Sequence, residues 1–510
     1  MKTEVLIVGA GPTGLSLAAQ FLRFGIDFVI VDKKESITPH SKAIGVQART
    51  LEIYEQIDLA GALIEQGAHA QRARMIEGGR VRGEVDLEKI GEGMSPYPFV
   101  LLVEQGKHER ILLDHIHAKG SKIRWNTELV EFSQDGSGVT ATIKDIEGVE
   151  EKIEAKFLVG CDGAKSFVRN ALGLKFEGGT FERFFYVADV EIDWEFSHDA
   201  LNVFLSKNSV TAFFPMRGSD KNFRIVGAFP ESHAQDEGEP LYEEIERQII
   251  FDTEMELDIT KVNWFSVYKV HSRAVDQFSL GKCFLAGDSA HIHTPVGAQG
   301  MNTGIQDGYN LAWKIASVLR GNADEKLLAT YNEERLPNAR RLLQTTDRFF
   351  HLAADEDRLL SFVRTNIFPY VAGLAFSLDI VKETLFPLVS QIGINYRGSS
   401  LSSETNDLEV KAGDRMPWLL IEGKSIYDRI REPKFHVLVF ADGKDPLPNI
   451  EPSELFDIHI IPLYPHIAKK FGSSESFTVL LRPDNYIGSI IPNVSNNSIR
   501  DYFRRVHFAL

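Results

Sequence analysis

Cysteine is nearly absent: the 510 residues contain two, Cys161 and Cys283, each inside an apolar run. That excludes a disulfide framework and a cysteine-based metal knuckle, and both thiols read as small buried hydrophobes. A reducing compartment, by default the cytoplasm, is expected. Long apolar runs are absent too, and none approaches the ~20 residues a membrane-spanning helix needs. The chain enters an apolar strand directly after Met1-Lys-Thr-Glu4, without a signal-peptide pattern. Basic charge is in deficit. Lys and Arg number 56 against 72 Asp and Glu, a net charge of -16, which argues against a nucleic-acid partner. His291 and His293 form an H-x-H pair with no further ligand cluster at suitable spacing, so no metal is expected. No internal repeat or low-complexity tract occurs, and the length calls for two or three domains.

What is present begins at Val5-Leu-Ile-Val-Gly9-Ala10-Gly11-Pro12-Thr13-Gly14-Leu. An apolar run reads as a buried parallel strand. G-x-G-x-x-G follows, then a helical pattern (Leu15, Ala18, Ala19, Leu22), then the apolar residues 28–31 ending in Asp32. Strand, glycine turn, helix, strand and acid stand in the order dinucleotide binding requires. Gly9 allows the tight turn, Gly11 admits a pyrophosphate, and Gly14 lets helix and strand close up. The helix N-terminus offers N–H groups to phosphate, and Asp32 accepts from a ribose hydroxyl. No second G-x-G-x-x-G occurs, so a nicotinamide cofactor has no domain of its own.

A polar loop covers residues 33–42, and Arg49 opens a helix, where it can reach a cofactor or form a helix-end salt bridge. Residues 70–104 read as short strands with loops, and 105–117 as a helix. Residues 123–125, 128–133, 139–143 and 156–160 read as strands. Short alternating runs between residues 184 and 268 predict an antiparallel sheet inserted into the nucleotide-binding unit, with one helix at 242–251. Residues 283–288 resume the nucleotide pattern. A long helix is predicted over 300–319, mostly helical texture over 325–400 with breaks at Pro337, Pro369 and Pro387, and a polar linker at 401–407. Residues 408–510 carry their own strands. The division is 1–180 with 270–345 for cofactor, 181–269 with 346–400 for substrate and helical cover, and 408–510 as a small α/β domain.

Two further blocks carry chemistry. Asp162-Gly163, followed by Ser166 and Arg169, ends a strand, where it can bind a nucleotide's sugar or phosphate or simply cap a turn. Gly287-Asp288 ends another strand and leads through Pro295, Gly297, Ala298, Gln299 and Gly300 to Met301 and Asn302. Asp288 can bond a polyol. The glycines let backbone approach a planar ligand, and the helix beginning near Gly300 aims its positive end there.

The three blocks together resemble the class A flavoprotein monooxygenases, the para-hydroxybenzoate and phenol hydroxylases among them. Ala290-His-Ile-His-Thr-Pro295, Gln306-Asp-Gly-Tyr-Asn-Leu-Ala-Trp-Lys314, Gly413-Asp-Arg415-Met-Pro417 and Leu481-Arg-Pro-Asp484 are similar to the phenol and pentachlorophenol hydroxylase branch. The resemblance spans the chain and is weakest in the middle sheet and residues 340–400. It implies an α/β fold: a Rossmann-like FAD-binding domain of the para-hydroxybenzoate hydroxylase type, an inserted antiparallel-sheet substrate domain and a thioredoxin-like C-terminal domain. It implies FAD, NADPH or NADH as transient co-substrate, O2, and hydroxylation of an aromatic, phenolic or polyketide-like substrate through a flavin C4a-hydroperoxide. Baeyer–Villiger insertion, antibiotic inactivation and a non-catalytic flavin sensor are the alternatives. No W-x-W pair of the flavin halogenases occurs. A monomer or homodimer is expected.

The cofactor set implied is Gly9 to Gly14, Asp32, Lys33, Lys42, Ala43, Gln105, Val130, Asp162, Gly163, Gly287, Asp288, Pro295 and Gly297 to Asn302. Lys42 stands where the family usually has Arg, keeping the charge and losing the bidentate fork. Ala298 replaces a glycine of the branch. With no cysteine after Cys283, the C-terminal domain cannot perform thiol chemistry. Phe213, Phe214, Pro215 and Pro295 are candidates for the substrate pocket, and Tyr268 and His271 for deprotonating a phenol.

Overall fold

The computed structural model describes all residues except 40–42, 207–208, 230–239, 295–298, 355–378, 404–407, 445, 493 and 509–510, and leaves aside the side chains of 182, 347–354 and 379–382. Val5 to Val8, all buried, form the end of strand β1 (Lys2–Val8). The β1 strand lies between β2 (Phe28–Val31) and the strand Glu150–Gly160, parallel to both. Cys283–Leu285 and Ile123–Arg124 extend this parallel core on either side. Registers align the exits: Val8 pairs with Val31 and Gly160, and Gly160 with Leu285. Gly9, Asp32, Cys161-Asp162 and Ala286-Gly287-Asp288 therefore all leave the sheet at one edge, the carboxyl edge where open α/β sheets bind ligands. Helix α1 (Pro12–Phe24) covers one face, crossing the helix Gly300–Leu319 so closely that a Cβ on Gly308 would stand 3.3 Å from Leu17 Cβ.

A second sheet of eight strands runs in the order His291–Ile292, Asp258–Val275, Phe176–Asp193, Asn222–Ala228, Val210–Pro215, Ala200–Leu205, Arg72–Glu77, Arg80–Asp86. It is antiparallel except where Ala200–Leu205 meets Arg72–Glu77. The inserted sheet thus takes in strands on both sides of residues 181–269. Two of them, Phe176–Asp193 and Asp258–Val275, are 18 residues long. Pro337 does not end a helix. It lies inside Ala329–Ala354, where its neighbours Glu334 and Arg335 are fully buried ion-pair partners that hold the turn against the missing N–H. Pro387 likewise sits within Asp379–Val389, and Pro369 lies outside the described residues. Leu401, at the start of the expected linker, is buried and accepts from the Tyr502 hydroxyl.

The C-terminal sheet has four strands, ordered Phe456–Pro462, Phe435–Ala441, Phe477–Leu481, Ile487–Ile491. The first pair is parallel and the others antiparallel. Phe435, Val437 and Val439 join the main core, while Leu438 and Phe440 turn to a separate one. Polar docking is extensive. Glu334 takes both Arg482 guanidinium nitrogens at 2.6 and 3.0 Å and Lys314 Nζ at 2.7 Å. Arg482 also grips Asp484, which accepts from Trp313 Nε1 at 3.1 Å. Two motifs far apart in the sequence, Trp313-Lys314 and Arg482-Pro-Asp484, are therefore each other's partners. Burial pushes the Glu334 carboxyl up, but Arg482 and Lys314 outweigh it and hold it well below the usual carboxylate range.

His108 is fully buried with Nε2 2.8 Å from the Tyr54 hydroxyl, and burial lowers its pKa from 6.5 to about 3. The unfolded chain takes up this proton before the folded one does. Stability from the neutral ring is therefore complete above about pH 6.5 and declines as pH falls toward about 3. The His108→Gln variant, which keeps a partner for Tyr54, should show about one proton less taken up on unfolding near pH 5, measured from the slope of stability against pH.

Candidate cofactor site

At the carboxyl edge Gly9 adopts φ 105°, and a Cβ there would lie 2.3 Å from the Cys161 carbonyl oxygen. At Gly14 it would lie 1.9 Å from the Gly9 oxygen. Both glycines are required by backbone contact. Gly11 differs: it precedes α1 as its N-cap, no atom of the described residues beyond its chain neighbours lies within 4 Å of a Cβ built on it, and no side chain among them caps the helix. Open space in front of uncapped N–H groups is a cradle for phosphate. Pro12 stands in the first turn, where a missing N–H costs nothing. Thr13 Oγ1 fills the gap left by Gly287 and Gly304, 2.4 and 2.3 Å from where their Cβ atoms would be.

Asp32 is held as an acceptor: its Oδ2 takes Ala10 N–H at 2.7 Å and its Oδ1 takes Lys34 N–H at 2.9 Å. Lys33 is exposed. Lys42 lies outside the described residues, while the Ala43 carbonyl accepts from Arg224 Nη1 at 3.0 Å and from the Gln105 backbone at 3.3 Å. Arg224 comes from the second sheet and forms a bidentate pair with Asp189, both bonds 2.7 Å. Gln105 Nε2 donates to Glu109, whose other oxygen takes Thr38 N–H. Burial raises the Glu109 pKa. Val130 is half-buried on the strand Thr127–Gln134. Arg49 makes the salt-bridge choice, pairing with Glu52 at 3.2 Å and donating to the Asp484 carbonyl at 3.0 Å.

The Asp162 carboxylate accepts from Ser166 Oγ at 2.6 Å and Val168 N–H at 3.1 Å, so it caps the short helix Phe167–Ala171. Burial raises its pKa. Gly163 has φ 77° and open space beside it. Arg169 joins this block to the next, donating to the Ser289 and Ala164 carbonyls. Gly287 N–H donates to Asp307 Oδ2 at 3.0 Å, while Asp288 is exposed.

Asp307 was part of a motif in the sequence but had no assigned role there. It is the hub of the site: fully buried on the Gly300 helix, it also takes His291 Nε2 at 2.7 Å and Arg335 Nε at 2.6 Å. Burial opposes its ionisation, yet Arg335 and His291 hold its pKa below the usual range. The signal was an acid seven residues past Gly300, on the face that the apolar spacing buries. His293 follows with its pKa lowered to about 4 by burial, and among the described residues neither its Nε2 nor Thr294 Oγ1 has a hydrogen-bond partner.

Gly300 is the first residue of its helix and Met301 is half-buried beside it. The Asn302 side chain accepts from Gln47 N–H and Thr50 Oγ1 and donates to the Gly45 carbonyl. Gln299 Oε1 accepts from Gln391 Nε2 at 2.8 Å. Pro295, Gly297 and Ala298 lie outside the described residues. Phe213 is buried in an aromatic cluster, its ring centre 4.8 Å from that of Trp194 and 5.1 Å from that of Phe204, while Phe214, next along the strand, packs against the separate cluster that includes Leu102, Leu205 and Phe386, and Pro215 is buried. Burial raises the Tyr268 hydroxyl to about pKa 12. His271 Nδ1 is 2.8 Å from Thr180 Oγ1.

The open face at Gly11, the held acceptor Asp32 and three strand ends at one edge suit FAD. Residues 2–346 match the FAD binding domain family. The chain is 32% identical to a flavin-dependent monooxygenase of Mycobacteroides abscessus, covering 98% of this chain and 99% of that one. It is 29% identical to pentachlorophenol 4-monooxygenase of Sphingobium chlorophenolicum, covering 95% and 93%. Among solved structures, the anhydrotetracycline hydroxylase OxyS of Streptomyces rimosus superposes with a TM-score of 0.78 at 25% identity, covering 100% of this chain and 99% of that one. The chain belongs to the FAD-binding-domain family and is a flavin-dependent monooxygenase of the aromatic hydroxylase type.

Proposed function

We propose that the enzyme takes reducing equivalents from NADPH or NADH, visiting transiently, and uses O2 to hydroxylate a phenolic or polycyclic aromatic substrate. The observation that carries this reading is the shared edge at which Gly11, Asp32, Asp162 and Asp288 leave the sheet, with the second sheet tied to it through Arg224 and Ala43. Bound FAD supplies two-electron redox chemistry and activation of oxygen. The protein's part is positional. The N-terminus of α1 would hold the pyrophosphate, Asp32 the ribose and Asp288 the ribityl chain, and the positive end of the Gly300 helix would stabilise negative charge on the flavin. Asp307 keeps Gly287 N–H, His291 and Arg335 in register behind them.

Relatives of comparable identity act on a chlorinated phenol and on a tetracycline precursor, which supports an electron-rich ring and leaves its size open. The division at residues 180, 270, 345 and 408 is supported by the separate sheets, with Arg72–Glu77, Arg80–Asp86 and His291–Ile292 reaching from the first unit into the second sheet. A parallel pair within a four-stranded sheet supports the thioredoxin-like reading of the last unit. Two buried free thiols support a reducing, cytoplasmic setting. No helix among the described residues is long and apolar enough to cross a membrane. Denaturation should release FAD into the filtrate. A panel of phenols and polycyclic aromatics, followed by nicotinamide oxidation and product mass, should give a product one oxygen heavier. Substrate-dependent nicotinamide oxidation with product formation separates the enzyme from a flavin sensor, which peroxide release alone does not; an inserted ring oxygen would favour Baeyer–Villiger chemistry.

A further inference from the structure

Far from the cofactor edge, the C-terminal sheet gathers three ligand-type side chains. The strands Phe435–Ala441 and Phe456–Pro462 are parallel neighbours, the latter at the sheet edge. His436 pairs in register with Asp457 and Leu438 with His459, so Asp457 and His459, two apart, share the face of His436. One ligand atom from each residue lies within 4.8 Å of the others. His436 Nδ1 stands 3.1 Å from His459 Nε2. Two nitrogens on one tetrahedral zinc, each bonded at ~2.0–2.1 Å, stand roughly 3.3 Å apart, so a small adjustment seats both.

The tautomer suits a ligand. His436 Nε2 donates to the Glu432 carbonyl at 3.2 Å, which leaves the Nδ1 lone pair facing His459. Metal-binding histidines are oriented in this way by a backbone carbonyl on the second nitrogen. His436 is 1% exposed, so its ring is held in place by the sheet. Lys434 Nζ holds Asp457 Oδ1 at 3.1 Å, leaving Oδ2 available. Arg23 and Arg429 act on the cluster with the same sign as Lys434. That surrounding charge disfavours a hard ion held by charge alone, whereas two imidazoles favour a borderline transition metal.

We propose that His436, Asp457 and His459 bind one divalent transition-metal ion of the zinc type, with a fourth position open to water. The ion would fasten the edge strand to its neighbour, in a part of the chain that has no cysteine for the purpose.

The test uses untagged, FAD-loaded, chelator-stripped full-length enzyme, titrated with Zn(II) by calorimetry and with Co(II) by absorbance beyond the flavin bands. Wild type should take one saturable equivalent, with a rise in melting temperature on adding Zn(II). His459→Ala should lose that equivalent and the rise, and Asp457→Asn should bind about tenfold or more weakly. Should His459→Ala fail to fold, Asp457→Asn decides alone, since it changes one partly exposed group. No saturable equivalent in wild type, or the same equivalent at the same affinity in Asp457→Asn, would overturn the site.

Discussion

A Gly11→Ala variant should fold and melt as wild type in its apo form and still bind FAD at least about tenfold more weakly, a loss of about 1.4 kcal/mol or more. Its backbone, φ -81° and ψ -173°, is open to any residue, and among the described residues nothing beyond its chain neighbours stands within 4 Å of the new methyl. The only cost falls on a ligand occupying that space. Gly14→Val is the opposite case. Its Cβ would fall 1.9 Å from the Gly9 carbonyl oxygen and 3.3 Å from Cys161 Cβ, and backbone cannot step aside as a flexible side chain can. Overpacking typically costs about 1–3 kcal/mol, and a backbone clash more. That variant should give little soluble protein, colourless after gel filtration. The ratio of flavin to protein, with urea unfolding of both apo-proteins, separates the two cases. Wild-type FAD affinity in Gly11→Ala would place the pyrophosphate elsewhere.

The second large effect lies at the seam with the C-terminal sheet. Arg482→Ala should destabilise by about 3–5 kcal/mol, because it takes the guanidinium from two buried carboxylates, leaving Glu334 to Lys314 and Asp484 to the Trp313 N–H. Both carboxylates are at most 2% exposed, and Arg482 supplies four of their contacts, from 2.6 to 3.0 Å. The urea midpoint is the measurement. Lys2→Ala, removing an ion pair whose members are 83% and 60% exposed, should leave that midpoint unmoved. Glu334→Gln added to Arg482→Ala should cost less than the sum of the two, since the residues share one network. A small shift for Arg482→Ala would mean that water enters the seam.

The cofactor blocks were legible because each is local: a strand end, a glycine and an acid within a few residues. What joins them was not. Asp307 reads as one more polar residue in a long helix until Gly287, His291 and Arg335 are seen around it, from 16 to 28 residues away. Arg49 had two equal readings, and only a carbonyl 435 residues away decides between them. Arg72–Glu77 and Arg80–Asp86 were seen as short strands, but their place beside Ala200–Leu205 depends on pairing across more than a hundred residues, which alternation cannot encode. Pro337 was read by its local cost, which its buried neighbours override. Phe213 and Phe214 looked alike in composition; the strand's alternation sends them to opposite faces.

The alignment of β1 with Glu150–Gly160, and of that strand with Cys283–Leu285, sets a timetable for the ribosome. The first strand made has one central partner only when residue 160 is out, and the phosphate turn gains its Gly287 backing later still. At about 5–20 residues per second, the stretch between β1 and this second partner takes roughly 8–30 s to make, and until then β1 has only β2 beside it. Arg49 and Glu52 wait longer, for Asp484 and Arg415. Chaperones that shield β1 during that interval are expected to raise the yield of folded enzyme, and coexpressing them is the natural condition in which to make it.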